Sequence, residues 1–195
     1  FNNELYRIVD IENGLTKITA VDEPSSLSSN VFDSSDNKTT NFANASIKTD
    51  LETYYQGLKT TNETAYNMIE PSTTWYLGTV GDGVNYKASI CASIDAKKSM
   101  NDCEEKATST TANIGLPRVG EMFTSQITRV AKANFWTLIP YSPSDVRYVD
   151  SYGALNNFDS SYGYGARPSI YLKSTIKIAS SNSGNGTFEK PLVVE

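Results

Sequence analysis

The sequence predicts an α+β fold in a single domain spanning 1–195. Three features carry that prediction: an alternating N-terminal hairpin, two stretches of helical periodicity, and a C-terminal half of short β-like runs punctuated by glycine. At 195 residues the chain is long enough to bury one sizeable core. Hydrophobic residues make up 38% and charged residues 20%, a globular balance in which Ser, Thr, Asn and Tyr replace much of the usual Leu, Ala, Glu and Lys. That bias suits strands and long polar loops facing water.

At the N-terminus, Leu5, Arg7, Val9 and Ile11 alternate with Tyr6, Ile8 and Asp10. Asn13-Gly14 then precedes Leu15–Val21, which predicts a type I′ hairpin because both central residues of that turn need positive φ. Residues 23–45 are dominated by Ser, Asn, Asp and Thr and read as an exposed polar excursion. Ile47, Leu51, Tyr54, Tyr55 and Leu58 recur at helical spacing behind a candidate cap at Ser46, which predicts a helix ending near Gly57. Ala65, Met68 and Ile69 suggest a shorter helix stopped by Pro71. Trp75-Tyr76-Leu77 reads as a buried strand, and residues 85–106 as a polar loop holding both cysteines. Pro117 is placed to open another helix with Val119, Met122, Phe123, Ile127 and Val130 on one face. Strands are predicted at Phe135–Ile139, Val146–Ser151, Ala166–Leu172 and Thr175–Ile178.

The chemistry open to the chain is bounded by what it lacks. It has no histidine, which removes the commonest general base at neutral pH together with any Ser-His-Asp, Cys-His or His-ligated zinc site. A net charge of −5 without a basic run argues against a nucleic-acid partner, and no stretch is apolar enough to cross a bilayer, so no membrane contact is expected within this chain. Cys91 and Cys103 are too few for a structural zinc site and are not spaced as Cys-x-x-Cys. A disulfide is the leading reading, and with it an oxidising compartment; two free thiols in a reducing one is the other. No cofactor and no metal is expected. Asn37, Asn44, Asn62 and Asn185 each open an Asn-x-Ser/Thr triplet, a pattern that arises by chance in so Asn- and Thr-rich a chain.

Four stretches, Phe1–Val9, Leu116–Phe123, Phe135–Tyr141 and Gly165–Lys173, together resemble an uncharacterised domain family of Gram-positive surface, mobile-element and pilin-like proteins, and Gly184–Pro191 is similar to that family's usual ending. The resemblance implies a C-type-lectin-like fold, related also to the formylglycine-generating sulfatase-modifying factors: two helices and a β-core whose loops present binding surfaces. It further implies a leader or pilin-like helix ahead of Phe1 in a longer protein. The chain departs from both relatives at their functional motifs. It has no Glu-Pro-Asn, Gln-Pro-Asp or Trp-Asn-Asp for calcium; Glu23-Pro24-Ser25 and Glu70-Pro71-Ser72 put a short hydroxyl where the amide oxygen would stand. Its cysteines lie earlier than the catalytic pair of the sulfatase-modifying enzymes, so no catalytic residue is carried over.

Residues 141–164 are rich in Tyr, Ser, Gly and Asn, the composition of combining loops in which rigid tyrosines supply contact area and small polar residues adapt. Tyr141, Tyr148, Tyr152, Tyr162 and Tyr164 are therefore the candidate ligand-binding residues; the alternative is a β-hairpin with half-buried tyrosines. Arg167 reads as a structural pin that pairs with an internal carboxylate or carbonyl. Asp145, Asp150 and Asp159, considered with Glu121 as a glycosidase pair, read instead as solvated loop acids. The expectation is a non-enzymatic extracellular or cell-surface structural or adhesive module, such as a pilus or filament subunit on a bacterium. Its partners would be a protein or glycan at the surface, with self-assembly through strand edges. The alternative is a binding module that recognises a glycan or protein through the Tyr-rich loops without polymerising.

Overall fold

A computed structural model describes residues 1–36, 38–78, 108–124, 132–187 and 189–195. In chain order the elements are β1 (Tyr6–Glu12), β2 (Leu15–Ala20), β3 (Asn30–Val31), α1 (Ser46–Thr61), α2 (Glu63–Met68), β4 (Thr73–Gly78), β5 (Thr108–Ala112), α3 (Val119–Thr124), β6 (Phe135–Pro140), β7 (Asp145–Val149), β8 (Leu155–Asp159), β9 (Gly163–Tyr164) and β10 (Ser169–Leu172). Among the described residues the strands form antiparallel sheets ordered β1-β2-β10, β3-β9, β4-β5 and β6-β7-β8. The architecture is α+β.

The hairpin turns at Asn13 and Gly14, with φ of 52° and 77°, the left-handed pair a type I′ turn requires. The alternation expected along β1 does not survive intact. A bulge between Ile8 and Asp10 leaves Ile8 opposite Ile18 and Ile11 opposite Thr16, two positions apart on β2, so the two isoleucines share a face. Both lie on the sheet edge, 61% and 72% exposed.

The polar excursion is less exposed than its composition suggests. Phe32 and Phe42 are fully buried, a 3-10 turn at Ser25–Leu27 buries Leu27, and Asp33 is buried as an anchor. The Asp33 carboxylate accepts the amides of Thr39 at 2.8 Å and Ser46 at 3.2 Å. This makes Asp33, a residue remote in sequence, the acceptor for the first amide of α1. Ser46 is not the cap: Ala45 holds that position, and the Ser46 hydroxyl accepts the amide of Ser34. Helix α1 buries Ile47, Leu51, Tyr55 and Leu58, and passes through Gly57 to end at Thr61, one turn beyond the expected stop. Gly57 faces open space, so it costs helix propensity without breaking the helix. Asn62 then caps α2 by accepting the Ala65 amide at 3.1 Å.

The largest buried cluster joins Ile18 and Ile170 to the α1 residues, Trp75, Leu116 and Trp136. Sheet β6-β7-β8 is covered on both faces. Trp136 and Val146 belong to that cluster, whereas Phe135 and Val149 pack with Met122 of α3 and with Val9. Every residue of β6 is buried in consequence. Gly115 is needed for close approach, since a Cβ there would meet the Trp75 ring at 2.5 Å.

Three further expectations are corrected. Thr175–Ile178 forms no strand: its first half closes a turn, the Ile176 amide donating to the Lys173 carbonyl at 3.0 Å, and Ile178 makes one bridge to Val194. The strand expected from Ala166 begins only at Ser169: Pro168 has no N–H, and the Ala166 amide is drawn to the Leu27 carbonyl at 2.8 Å. Helix α3 starts at Val119 rather than Pro117, whose carbonyl is occupied by the Leu138 amide; Ile127 and Val130 lie outside the described residues.

Candidate binding face

The tyrosines are positioned by two carboxylate-stabilised turns. Between β7 and β8, Asp150 Oδ1 accepts the amides of Tyr152 and Ala154, both at 2.9 Å, and Oδ2 accepts from Asn156 at 2.8 Å. After β8, Asp159 accepts the Ser161 amide at 2.9 Å and the Lys38 ammonium at 2.8 Å, reversing the chain into β9. Hydrogen bonding to Lys38 and Ser161 holds the Asp159 carboxyl at about 2. Strand β9 pairs with β3, with Gly163 so close to Ser29 that a Cβ would lie 3.0 Å from the hydroxyl.

An aromatic stack running from core to solvent results. Trp136, fully buried, donates its indole N–H to the Asn30 carbonyl at 3.0 Å and lies 4.8 Å from the Tyr164 ring. Tyr164 is 4.4 Å from Tyr148 and 5.1 Å from Tyr162. Tyr162 meets Phe158 edge to face at 4.8 Å and 73°. Tyr148 and Tyr164 are half-buried, and the outermost rings, Phe158 and Tyr162, are 43% and 52% exposed. Burial and the neighbouring Tyr148 hydroxyl push the Tyr164 phenol up to about 12, so it remains a neutral hydrogen-bonding group across the physiological range.

The structure therefore brings together three of the five candidate tyrosines, Tyr148, Tyr162 and Tyr164, as half-buried or exposed members of one face. Tyr141 is engaged elsewhere, its ring 4.3 Å from the Arg147 guanidinium. Tyr152 stands alone at the β7–β8 turn, 94% exposed. Phe158, absent from the expected set, belongs to the face; the only sign of it in the sequence is a lone aromatic amid the Asn and Ser of residues 156–161.

A second cluster is buried except at Asp10, its outer member. Lys17 on β2 places its ammonium 2.7 Å from Glu121 of α3, between the rings of Trp75 and Tyr171 at 4.7 and 5.4 Å. Glu121 also takes Arg118 at 2.7 Å and accepts the Arg118 amide at 2.8 Å. Arg118 reaches Glu12 and Asp10, each at 3.3 Å, and the Tyr171 hydroxyl donates to Glu12 at 2.6 Å. Burial alone would raise the Glu121 carboxyl, but Arg118 and Lys17 outweigh it and hold it at about 2. Burial lowers the Lys17 ammonium, opposed by Glu121. Nothing in the sequence marks Lys17 as buried, since a lysine in an alternating hairpin ordinarily points to water.

Arg167 is fully buried: its Nε donates to Glu23 at 3.2 Å and its guanidinium lies 3.9 Å from the centre of the Phe135 ring. It sits in the approach to β10 rather than in the strand. Glu23, one of the near-miss calcium acids, is thereby committed to an ion pair.

Of the four acids considered for glycosidase chemistry, Asp150, Asp159 and Glu121 hold structural contacts. Asp145 lies opposite Asp159 across β7 and β8, Asp150 fixes a turn, and Glu121 is paired in the buried cluster. In a groove of about 520 Å³ between α1 and β5, Asn113 donates to both oxygens of Glu52 at 3.0 Å and accepts the Ser72 amide at 2.8 Å. Among the described residues no group of three or more His, Cys, Asp or Glu is placed to hold a metal, and no helix is long and apolar enough to cross a membrane. Cys91 and Cys103 lie outside the described residues. Compared with protein-family models, curated proteins and solved structures, the chain matches none.

Proposed function

We propose that this chain is a non-catalytic structural and adhesive module of an extracellular surface, and that it makes contact through the face formed by Phe158, Tyr162, Tyr164 and Tyr148. The observation that carries this reading is the pair of outer rings, half-exposed yet joined through Tyr164 to a fully buried tryptophan. Exposed aromatics cost solubility unless they are used, and anchoring them to a core lowers the entropy lost on binding. A C-type-lectin-like arrangement belongs to the same proposal. It is supported by the mixture of helices with small antiparallel sheets and by the pairing of the N-terminal hairpin with β10, 150 positions on from Thr19 to Ser169.

Flow cytometry of the fluorescently labelled chain on intact bacterial and mammalian cells tests the contact face. Binding that is lost in Phe158→Ala/Tyr162→Ala, with circular dichroism unchanged, supports it. Equal binding by the variant contradicts it.

Self-assembly is a second reading, favoured by one observation. Among the described residues, strand β1 is a sheet edge carrying exposed Ile8 and Ile11 on one face. Electron microscopy of the concentrated protein should then show filaments that Ile8→Lys/Ile11→Lys abolishes; monomers at every concentration would remove this reading.

A further inference from the structure

We infer that the ligand of the aromatic face is a saccharide, held by stacking of a pyranose on Tyr162 and Phe158. The inference rests on the contact face proposed above and names the chemistry that face selects.

Size narrows the choice first. Aromatic side chains each bury about 150–250 Å² when covered. Two rings at roughly half exposure offer about 200 Å² of aromatic surface, so a protein partner would draw most of the about 800 Å² per side of a stable interface from the polar surroundings. The face is on the scale of one or two sugar rings. Its chemistry fits as well. One side of a pyranose is a plane of C–H groups, which the negative face of an aromatic ring attracts, while the hydroxyls at its margin seek short polar partners. Tyr162 and Phe158 stand at 73° to each other, so a sugar seated on one ring abuts the edge of the other. The margin is polar: the Ser161 hydroxyl lies 2.5 Å from Asp159, itself paired with Lys38, and the Ser29 hydroxyl flanks Gly163. Because Tyr162 and Phe158 touch, no slot opens between parallel rings of the kind that receives a proline-rich helix.

The stack also accounts for rigidity. Tyr164 is clamped between Tyr148 and Trp136, and β9 is tied to β3, so the exposed rings are held before ligand arrives. Calcium has no part in this mode, and chelation should leave binding unchanged.

The test uses the whole chain with chitohexaose, cellohexaose, laminarihexaose and mannohexaose, read by saturation-transfer NMR and calorimetry, with a proline decamer as competitor class. Binding of at least one hexasaccharide is expected, insensitive to EDTA and weakened roughly tenfold for each ring removed. Ile178→Ser, remote in sequence and exposed on the C-terminal tail, should bind as the parent. Should Phe158→Ala/Tyr162→Ala lose its fold, Tyr162→Ser alone provides the comparison. Failure of all four sugars while cell binding still depends on Phe158 and Tyr162 overturns the saccharide and leaves the contact face standing. Tighter binding of the proline decamer overturns it likewise. Cell binding indifferent to both rings removes the contact face, and the saccharide with it.

Discussion

Glu121 joins Lys17 and Arg118 in one buried ionic cluster. It is buried and pairs with two cations, so that its removal takes the carboxylate from the fully enclosed Lys17 while Arg118 keeps Glu12 and Asp10. Glu121→Ala should therefore cost about 3–5 kcal/mol in urea unfolding, the range for removing one partner of a buried ion pair. A loss under about 1 kcal/mol would mean that water enters the cluster. The pH dependence follows from its direction of shift. The folded carboxyl sits at about 2, below the ordinary 4.5, so the pairing stabilises fully above pH 4.5 and is lost as the pH falls toward 2. The urea midpoint of the parent should fall across that window, and that of Glu121→Gln should fall less. Arg167 offers the other residue-scale test. Arg167→Ala empties a volume against Phe135 and leaves Glu23 unpaired, and should lower stability by about 2–4 kcal/mol.

Among the elements, the ones that local chemistry specifies were legible. The Asn13-Gly14 hairpin, the apolar stripe of α1 and the run Phe135–Ile139 all form as their patterns predict, because turn φ, helical period and continuous apolarity are written within a few residues. What failed depended on partners distant in the chain. Asp33, not Ser46, serves the start of α1; the bulge at Val9 places two isoleucines on one face; the excursion buries Phe32 and Phe42 under a polar sequence. The candidate site was half legible for the same reason. Tyr/Ser/Asn composition pointed to residues 141–164, but only the pairing of β9 with β3 decides that Tyr164 joins Trp136 while Tyr141 and Tyr152 go elsewhere. Two element-scale substitutions check this picture. Asn62→Ala removes the α2 cap and should cost about 1 kcal/mol. Gly115→Ala drives a methyl into the Trp75 ring and should cost about 1–3 kcal/mol, with a shifted tryptophan emission; unchanged emission and stability would show that Trp75 can move aside.

Taken as a whole, the molecule encloses an ionic cluster and presents a group of contacting aromatics at its surface. The ionic cluster locks α3 to the β1-β2-β10 sheet, sheet β6-β7-β8 stands between two apolar layers, and the rim of that sheet carries Phe158 and Tyr162 into solvent. A disulfide between Cys91 and Cys103 would complete the extracellular reading, and intact mass before and after reduction should differ by two hydrogens if it is present. The contact face itself is tested most directly by hydroxyl-radical footprinting of the chain free and bound to cells. Phe158 and Tyr162 should be protected from oxidation in the bound state while Tyr152, the more exposed ring at the neighbouring turn, is labelled as before. Unchanged labelling of Phe158 and Tyr162, or protection centred on Tyr152, would contradict the proposed face.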